Sequence, residues 1–171
     1  MTIEERLAAL ERRLQVAEDQ LAITQLVYSY GPAVDTGSAD ASAELFTADA
    51  VYDVDTGIMR GHDEIGAMVS GAEHQSIIAS GAGHVMAAPQ IRLDGDQATV
   101  VSYSMLVLRR SAGTFVVARL TANRWELARV DGRWKISHRT ARLVDDSGEG
   151  RTVLQTLTRP DTPTATVSSR V

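Results

Sequence analysis

The sequence predicts an α+β fold in which helices come first and a curved antiparallel sheet follows. Apolar residues recur at steps of three and four in the N-terminal part, which is the period of an amphipathic helix. Later segments are rich in β-branched and aromatic residues, and turn signals containing glycine separate them. Consecutive hairpins of this kind form a meander, so helices and sheet should occupy separate parts of the chain.

The first helix begins with a capping box, Thr2-Ile-Glu-Glu5, and should cover about residues 3–17. A stripe of apolar residues at heptad spacing runs along it and consists of Leu7, Leu10, Leu14, Ala17 and Leu21. This stripe is short for an independent coiled coil. We therefore expect it to pack on the domain itself or on a neighbouring subunit.

Gly31-Pro32 interrupts the apolar pattern, and a proline in a helix interior removes a hydrogen bond. A kinked helix, or two consecutive helices, should result. A further helical stretch is predicted over residues 39–46 and a first short strand over 51–54. Gly61-His-Asp-Glu-Ile65 opens another helix that continues to about Ser70, with its acidic groups in the favourable first turn.

The β-rich segments cover residues 84–92, 98–110, 115–130 and 134–144. Hairpin signals lie between them at Asp94-Gly95-Asp96, Ser111-Ala112-Gly113 and Asp131-Gly132. From Asp145 onward the chain has the composition of a loop and an extended arm, although Val153, Leu154 and Leu157 could dock on the body or on another subunit. We expect one domain over residues 1–145, with 1–18 as a helical extension and 146–171 as the arm.

Composition excludes several classes of function. A chain of 171 residues with 44% apolar residues suits one domain, and the absence of cysteine excludes disulfides and thiolate chemistry. A net charge of -5 without a basic stripe argues against nucleic acid as a partner. No nucleotide-binding or zinc-hydrolase motif occurs, and no apolar run is long enough for a membrane span. We expect a cytoplasmic protein without cofactor or metal.

Asp35 and His84 are the strongest candidates for chemistry, because each is an ionisable group among small and apolar neighbours. Such a pair can transfer protons if folding brings it together. Each residue also has an ordinary structural explanation. Asp35 could end the helix and accept N–H bonds at Thr36-Gly37, and His84 could bond a carbonyl group in the core.

Four segments in this order resemble the SnoaL-like branch of the nuclear transport factor 2-like superfamily. They are Leu26–Asp35, Leu45–Val51, Gly61–Ile65 and Asp131–Arg139. The resemblance covers about residues 18–144. It implies a cone-shaped α+β barrel, in which a strongly bent antiparallel sheet wraps around the N-terminal helices and leaves one deep apolar pocket.

The similarity is nearest to the branch that contains scytalone dehydratase, hexachlorocyclohexane dehydrochlorinase and bile-acid 7α-dehydratase. These enzymes have an Asp on the first long helix, a His on a strand and an Arg after the last hairpin, which match Asp35, His84 and Arg139. The resemblance implies a cofactor-independent lyase or isomerase, foremost a dehydratase, that acts on a small hydrophobic cyclic molecule. Asp35 would orient the imidazole, and His84 would be the base.

Further site residues are predicted with less support from the chain itself. The resemblance places Tyr30 in the pocket, whereas helical geometry puts Tyr28 on the face of Asp35. Arg139 is either a pocket cation or a structural ion-pair partner. Strand residues that could contact a ligand, or simply fill the core, are Tyr103, Met105, Val107, Val117 and Trp125. His62 and His74 are expected at the surface near helix ends.

A second class of function remains open at this stage. A non-catalytic ligand carrier or an oligomer-building subunit, similar to the β-subunits of ring-hydroxylating dioxygenases, needs the fold but no acid-base pair. The resemblance also implies a homo-oligomer, either a dimer or a trimer. The striped first helix and the arm at residues 153–157 are the segments that we expect at its contacts.

Overall fold

The computed structural model describes residues 1–158, which contain five α-helices and seven strands. The helices are α1 (Ile3–Asp35), α2 (Ala39–Ala43), α3 (Gly61–Ser70), α4 (Ala72–Ala79) and α5 (Glu149–Leu154). The strands are β1 (Phe46–Val54), β2 (Gly57–Arg60), β3 (Ala82–Met86), β4 (Gln90–Asp94), β5 (Gln97–Arg109), β6 (Phe115–Val130) and β7 (Arg133–Leu143). Helices combined with one large sheet confirm the predicted α+β class, although α3 and α4 lie between β2 and β3 and the helices therefore do not all precede the sheet.

All seven strands belong to one sheet with the order β2-β1-β7-β6-β5-β3, and β4 lies beside β5 as well. Neighbouring strands are antiparallel, except that β1 runs parallel to β7. Register shifts interrupt the pairs β1–β7, β5–β6 and β6–β7. Bulges of this kind increase local twist, so the long strands bend around the helices that cover their inner face.

Helix α1 is one continuous helix of 33 residues. The predicted capping box is present, since the Thr2 hydroxyl accepts from the Glu5 N–H and the Glu5 carboxylate accepts from the Thr2 N–H. Of the two outcomes expected at Pro32, two consecutive helices do not form, because the proline lies only three residues before the end and removes one bond from the last turn. The helix ends where Gly37 adopts a left-handed conformation, with φ of 68°.

A buried carboxylate attaches α1 to the sheet. Asp19, 8% exposed, accepts hydrogen bonds from Arg129 at 2.6 Å and from the Trp134 indole at 3.1 Å. Burial would raise the pKa of Asp19, but these bonds and the Arg129 charge outweigh it and lower the pKa below its ordinary value. Ile23 and Val27 follow on the same side of the helix and are fully buried in the core.

Three local predictions differ from the structure. The single strand expected at residues 84–92 is two strands, β3 and β4, which pair with successive halves of β5. The helix expected at 39–46 ends at Ala43, because Phe46 already begins β1 and fills the core. Strand β2 and helix α4 were not predicted at all, since their short sequences carry no clear periodicity.

The segment after Asp145 is not extended as expected. It forms helix α5, which packs on β5, β6 and β7. Leu157 is 8% exposed, and the Gln90 side chain donates to its carbonyl oxygen at 3.4 Å, so this segment docks on its own domain. Residues 159–171, the remainder of the predicted arm, lie outside the described residues.

The N-terminal stripe does not pack on its own domain, contrary to one of the two expectations. Its leucines are all more than half exposed, with 57% at Leu7, 55% at Leu10, 59% at Leu14 and 61% at Leu21.

Within residues 1–158, no helix is long and apolar enough to cross a membrane.

Candidate active site

Asp35 and His84 lie in direct contact, although they are 49 positions apart in the sequence. Asp35 is the last residue of α1, and His84 is the central residue of β3. One carboxylate oxygen of Asp35 lies 2.6 Å from Nδ1 of His84, and the other accepts the main-chain N–H of His84 at 2.7 Å. The carboxylate is therefore bonded to the histidine, whereas the alternative was that it caps the helix at Thr36-Gly37.

This contact fixes the chemical form of the imidazole. A carboxylate accepts hydrogen bonds, so Nδ1 of His84 carries the proton and Nε2 of the neutral ring carries the lone pair. Burial lowers the pKa of His84 below its ordinary value, against the hydrogen bond and charge of Asp35, which raise it. The charge of Arg139 also lowers this pKa. His84 is therefore neutral at pH 7, and 22% of its side chain is exposed.

Tyr30 lies next to this pair on the buried side of α1. Its ring meets the His84 ring edge-on, with 6.4 Å between centroids, and its hydroxyl lies 3.4 Å from that of Tyr52 on β1. Burial raises the pKa of Tyr30 above its ordinary value, so this phenol stays protonated throughout the neutral range. The structure places Tyr30 beside the candidate base.

Arg139 lies beneath the tyrosines and is only 3% exposed. Its guanidinium carbon is 3.9 Å from the ring centre of Tyr30, 4.6 Å from that of Tyr52 and 4.1 Å from that of Trp125. Among the described residues it forms no ion pair, and its Nη1 has no hydrogen-bond partner. Arg139 is thus not the structural ion-pair partner that was one of its two alternatives, because the faces of three rings surround the cation. Its role as a pocket cation stays a prediction.

A network of neutral side chains holds the guanidinium in this position. Asn123 accepts from Nε and Nη2 of Arg139 at 3.2 and 2.8 Å, and its amide nitrogen donates to Ser104 at 2.9 Å. The Trp125 indole donates to Ser102 at 3.0 Å. All these groups lie on the inner face of β5, β6 and β7, so neutral partners within the sheet satisfy Nε and Nη2 of the buried cation.

A cavity of about 480 Å³ opens beside this cluster, between the β1–β2 hairpin and helices α3 and α4. Its wall is mainly apolar and includes Val54, Ile58, Met59, Met68 and Ile77. Tyr52 and His74 are polar groups in the wall. Asp35, His84, Tyr30 and Arg139 do not line this cavity themselves, so Tyr52 and His74 connect it to them.

His74 was expected at the surface, and the structure corrects this. It lies in α4, where its ring stacks on that of His84 with 5.9 Å between centroids and 27° between planes. Its Nε2 lies 2.8 Å from the carbonyl oxygen of Val34 and must donate to it, since a carbonyl only accepts. Nδ1 of the neutral ring then carries the lone pair.

Tyr52 and His74 are therefore the two site residues that the sequence did not reveal. Tyr52 alternates with Asp53 along a predicted strand, which could have suggested an inward tyrosine. His74 gave no such signal, because α4 itself was not predicted. His62, the other histidine expected at the surface, is half-buried and lies 3.0 Å from the carbonyl oxygen of Phe46.

Four of the predicted ligand-contacting residues lie away from the cavity. Tyr28 is 39% exposed on α1, away from the buried face of that helix. Tyr103 is 43% exposed, and it shares the outer face of β5 with Met105 because side chains alternate along a strand. Trp125 is fully buried on the inner face, where it packs on Arg139 and not on the cavity.

The described residues contain no group of three or more His, Asp or Glu side chains arranged to hold a metal ion. The acid-base groups at the site include the Asp35–His84 pair, His74, the phenols of Tyr30 and Tyr52, and the Glu73 carboxylate in the cavity wall. An imidazole oriented by a carboxylate can remove a proton, and a neutral phenol can donate a hydrogen bond to oxygen.

Comparison with known proteins places this chain in a family. The family model for a SnoaL-like domain matches residues 15–140. A crystal structure of an NTF2-like protein with a cystatin-like fold from Novosphingobium aromaticivorans is 33% identical, with a TM-score of 0.84 and coverage of 87% of this chain and 97% of that one. No match was found among curated proteins.

More distant structures share the fold alone. A variant of Rv3472, a protein from Mycobacterium tuberculosis, is 23% identical with a TM-score of 0.69, over 82% of this chain and 78% of that one. A protein from Catenulispora acidiphila in complex with S-DNPA is 21% identical with a TM-score of 0.65, over 80% and 98%. The chain belongs to the SnoaL-like family within the nuclear transport factor 2-like superfamily.

Proposed function

We propose that this protein is a cofactor-independent lyase or isomerase, foremost a dehydratase, that acts on a small hydrophobic cyclic molecule. The observation that carries the proposal is the double contact of the Asp35 carboxylate with the main-chain N–H and Nδ1 of His84. This contact leaves Nε2 of a neutral imidazole as a base, next to an apolar cavity of about 480 Å³. A cavity of this size suits a ligand of one to a few rings.

The reaction that fits these groups is the elimination of water next to a carbonyl group. Nε2 of His84 takes the proton from the carbon beside the carbonyl, and the electrons of that C–H bond form the new double bond. The bond from the neighbouring carbon to its hydroxyl breaks, and the His84 imidazolium returns its proton to the departing hydroxide, which leaves as water while the imidazole becomes neutral again. Asp35 stabilises the imidazolium that forms in the first step.

Tyr52 and His74 would contact the substrate directly, because they line the cavity. The Tyr52 phenol is suited to donate to the substrate carbonyl oxygen, on which negative charge develops. His74 stacks on His84, so it lies between the cavity and the base. The proposal requires the substrate proton to reach Nε2 of His84 directly, through one water molecule or through His74.

Hydrogen exchange with D2O tests the base without knowledge of the natural substrate. The protein is incubated in D2O with a panel of cyclic β-hydroxyketones, and NMR measures deuterium at the carbon beside the carbonyl while mass spectrometry detects loss of water. We expect exchange with the wild type, and a loss of about 100-fold or more in His84→Ala. Asp40→Asn, which changes an exposed carboxylate on α2, is the matched control and should retain full activity.

Two outcomes would contradict the proposal. Exchange that survives in His84→Ala would show that another group is the base. Binding of the ketones, detected by NMR, without exchange in the wild type would favour the non-catalytic ligand carrier. That second function is favoured by one observation, namely that His84 does not itself line the cavity.

A further inference from the structure

The side of α1 that faces away from the domain carries a continuous apolar stripe. On an ideal helix the stripe residues lie roughly 150° around the axis from the buried residues of α1. Two further exposed apolar residues extend the stripe of Leu7 to Leu21 at its ends, namely Ile3, 71% exposed, and Tyr28, 39% exposed. It thus spans most of the helix and involves none of the groups of the candidate active site.

The stripe has the spacing of a coiled-coil seam. With Leu7 as position a of a heptad, the a positions are Leu7, Leu14, Leu21 and Tyr28, and the d positions are Ile3, Leu10, Ala17 and Thr24. Arg6 and Arg13 then occupy g positions, and Glu11 and Glu18 occupy e positions. Within residues 1–158, none of these four charged side chains forms an ion pair in its own chain.

These charges distinguish the two possible orientations of a helix pair. In a parallel pair in register, each g residue faces the e residue of the next heptad on the partner. Arg6 then meets Glu11 of the second copy, and Arg13 meets Glu18 of the second copy, which makes four attractive pairs by symmetry. In an antiparallel pair, Glu11 instead faces Glu18 of the second copy and no Arg–Glu pair forms.

We propose that the stripe on α1 pairs in parallel and in register with the same stripe of a second copy of this chain. This interaction is separate from the proposed function and adds an association surface to it. The family model begins only at residue 15, so the first two heptads precede the matched domain. Ile23, which attaches the domain to α1, occupies a c position on the side of the helix away from the seam.

A short seam is sufficient here because the helix exists before it pairs. An isolated helix is costly to start in water, because its first turn fixes several residues for a single hydrogen bond. In this protein the capping box at Thr2 closes one end, and Asp19 fixes the helix to Arg129 and Trp134 of the sheet. Association therefore orders side chains on a preformed surface and needs no folding of the helix.

Disulfide cross-linking of single-cysteine variants tests the pairing, and the chain contains no natural cysteine that would interfere. Leu7→Cys places two thiols next to each other only in the parallel pair. We expect it to form a covalent dimer under mild oxidation at least about tenfold faster than Arg12→Cys, because paired thiols experience a much higher effective concentration. Arg12 is exposed and lies away from the seam, so Arg12→Cys reports random collision.

Three results would overturn the proposal. Equal rates for Leu7→Cys and Arg12→Cys would show that the seam does not pair. Rapid coupling in Leu7→Cys/Thr24→Cys, but not in Leu7→Cys, would show an antiparallel pair. Coupling only in Leu7→Cys/Phe115→Cys would show that the stripe packs on the exposed end of β6 in a second copy.

Charge reversal tests the register through the same readout. In the Leu7→Cys background, Arg13→Glu should slow cross-linking about tenfold, since two attractive pairs become repulsive. Adding Glu18→Arg should restore the original rate, because each pair then again joins an acidic and a basic side chain, with the two charges exchanged between positions 13 and 18. A double variant as slow as the single one would contradict the assigned pairs.

Discussion

Gly31 on α1 and His84 on β3 are in direct backbone contact. A Cβ atom at Gly31 would lie 2.3 Å from the main-chain carbonyl oxygen of His84, which is closer than such atoms approach in proteins. Glycine at this position lets the helix and the strand meet, and one helical turn later Asp35 reaches His84. The contact between Asp35 and His84 therefore depends on a residue that has no side chain.

Replacement of Gly31 tests this dependence. Gly31→Ala should lower the free energy of unfolding by about 2 kcal/mol, because strand and helix must move apart. It should also weaken the Asp35–His84 contact, which NMR can follow through the His84 Nδ1 proton. Gly83→Ala in the same strand is the control, since nothing lies within 4 Å of its added Cβ. Equal stability of the two variants would contradict the contact.

Stability should depend on pH through His84. Burial lowers the pKa of His84 in the folded protein, so near pH 6 the unfolded chain binds a proton at this residue and the folded chain does not. The free energy of unfolding therefore rises with pH up to about 6.5 and falls as the solution becomes more acidic. Asp35, His74, Arg139 and Tyr30 all face the ring and contribute to its pKa or its packing.

Denaturant unfolding between about pH 5 and 7.5 measures this slope. The difference between the wild type and His84→Gln isolates the histidine, because all other groups are shared. We expect the variant to have a shallower slope over this range. A steeper slope in His84→Gln would mean that the folded protein binds the proton more tightly than the unfolded chain.

Arg139 should not tolerate lysine. Arg139→Lys keeps the charge but loses the flat guanidinium that stacks on Tyr30 and Trp125 and donates twice to Asn123. We expect a loss of about 1–3 kcal/mol in the free energy of unfolding. Arg133→Lys, at an exposed position of the same strand, should change stability by less than about 0.5 kcal/mol. An Arg139→Lys variant as stable as the wild type would show that a positive charge alone is sufficient for stability at this position.

Two substitutions of His74 separate its two ring nitrogens. His74→Gln can still donate to the Val34 carbonyl oxygen but lacks a group at the position of Nδ1, whereas His74→Asn replaces Nδ1 and loses the bond to Val34. If His74 contacts the substrate through Nδ1, D2O exchange should fall about tenfold or more in His74→Gln, while its stability changes little. Full activity in His74→Gln would remove His74 from the proposed mechanism.

Much of the fold was predictable because it follows from local patterns. The glycine turns at Gly95 and Gly132 adopt positive φ as the hairpin signals require, and helix α3 has its predicted bounds. Predictions from local patterns were wrong where tertiary contacts determine the secondary structure. Pro32 stays helical because the residues after it are fixed by tertiary contacts, with Val34 buried in the core and Asp35 bonded to His84 on β3. Helix α5 forms where it can pack on the sheet.

The site was predictable only in part, and the reason is geometric. Asp35 and His84 were recognised by their type and by the family resemblance, although their shared hydrogen bonds cannot be read from a sequence. Tyr103 and Met105 lie on the outer face of β5, although the sequence suggested them as ligand contacts. The pattern of a strand does not say which of its two faces points inward, because that depends on the register of pairing. The position of Arg139 against three rings involves β1, β6 and α1 together, which no local pattern encodes.

The parallel pairing of β1 with β7 has a consequence for synthesis. Strand β1 leaves the ribosome early, but its partner in the sheet is the last strand, whose Ile136 donates to the carbonyl oxygen of Leu45 at 2.9 Å. Until β7 emerges, the β1–β2 hairpin has a free edge, and contacts this distant in sequence form slowly. A nascent chain that stalls before residue 133 therefore presents an unpaired strand edge, which is open to pairing with another chain.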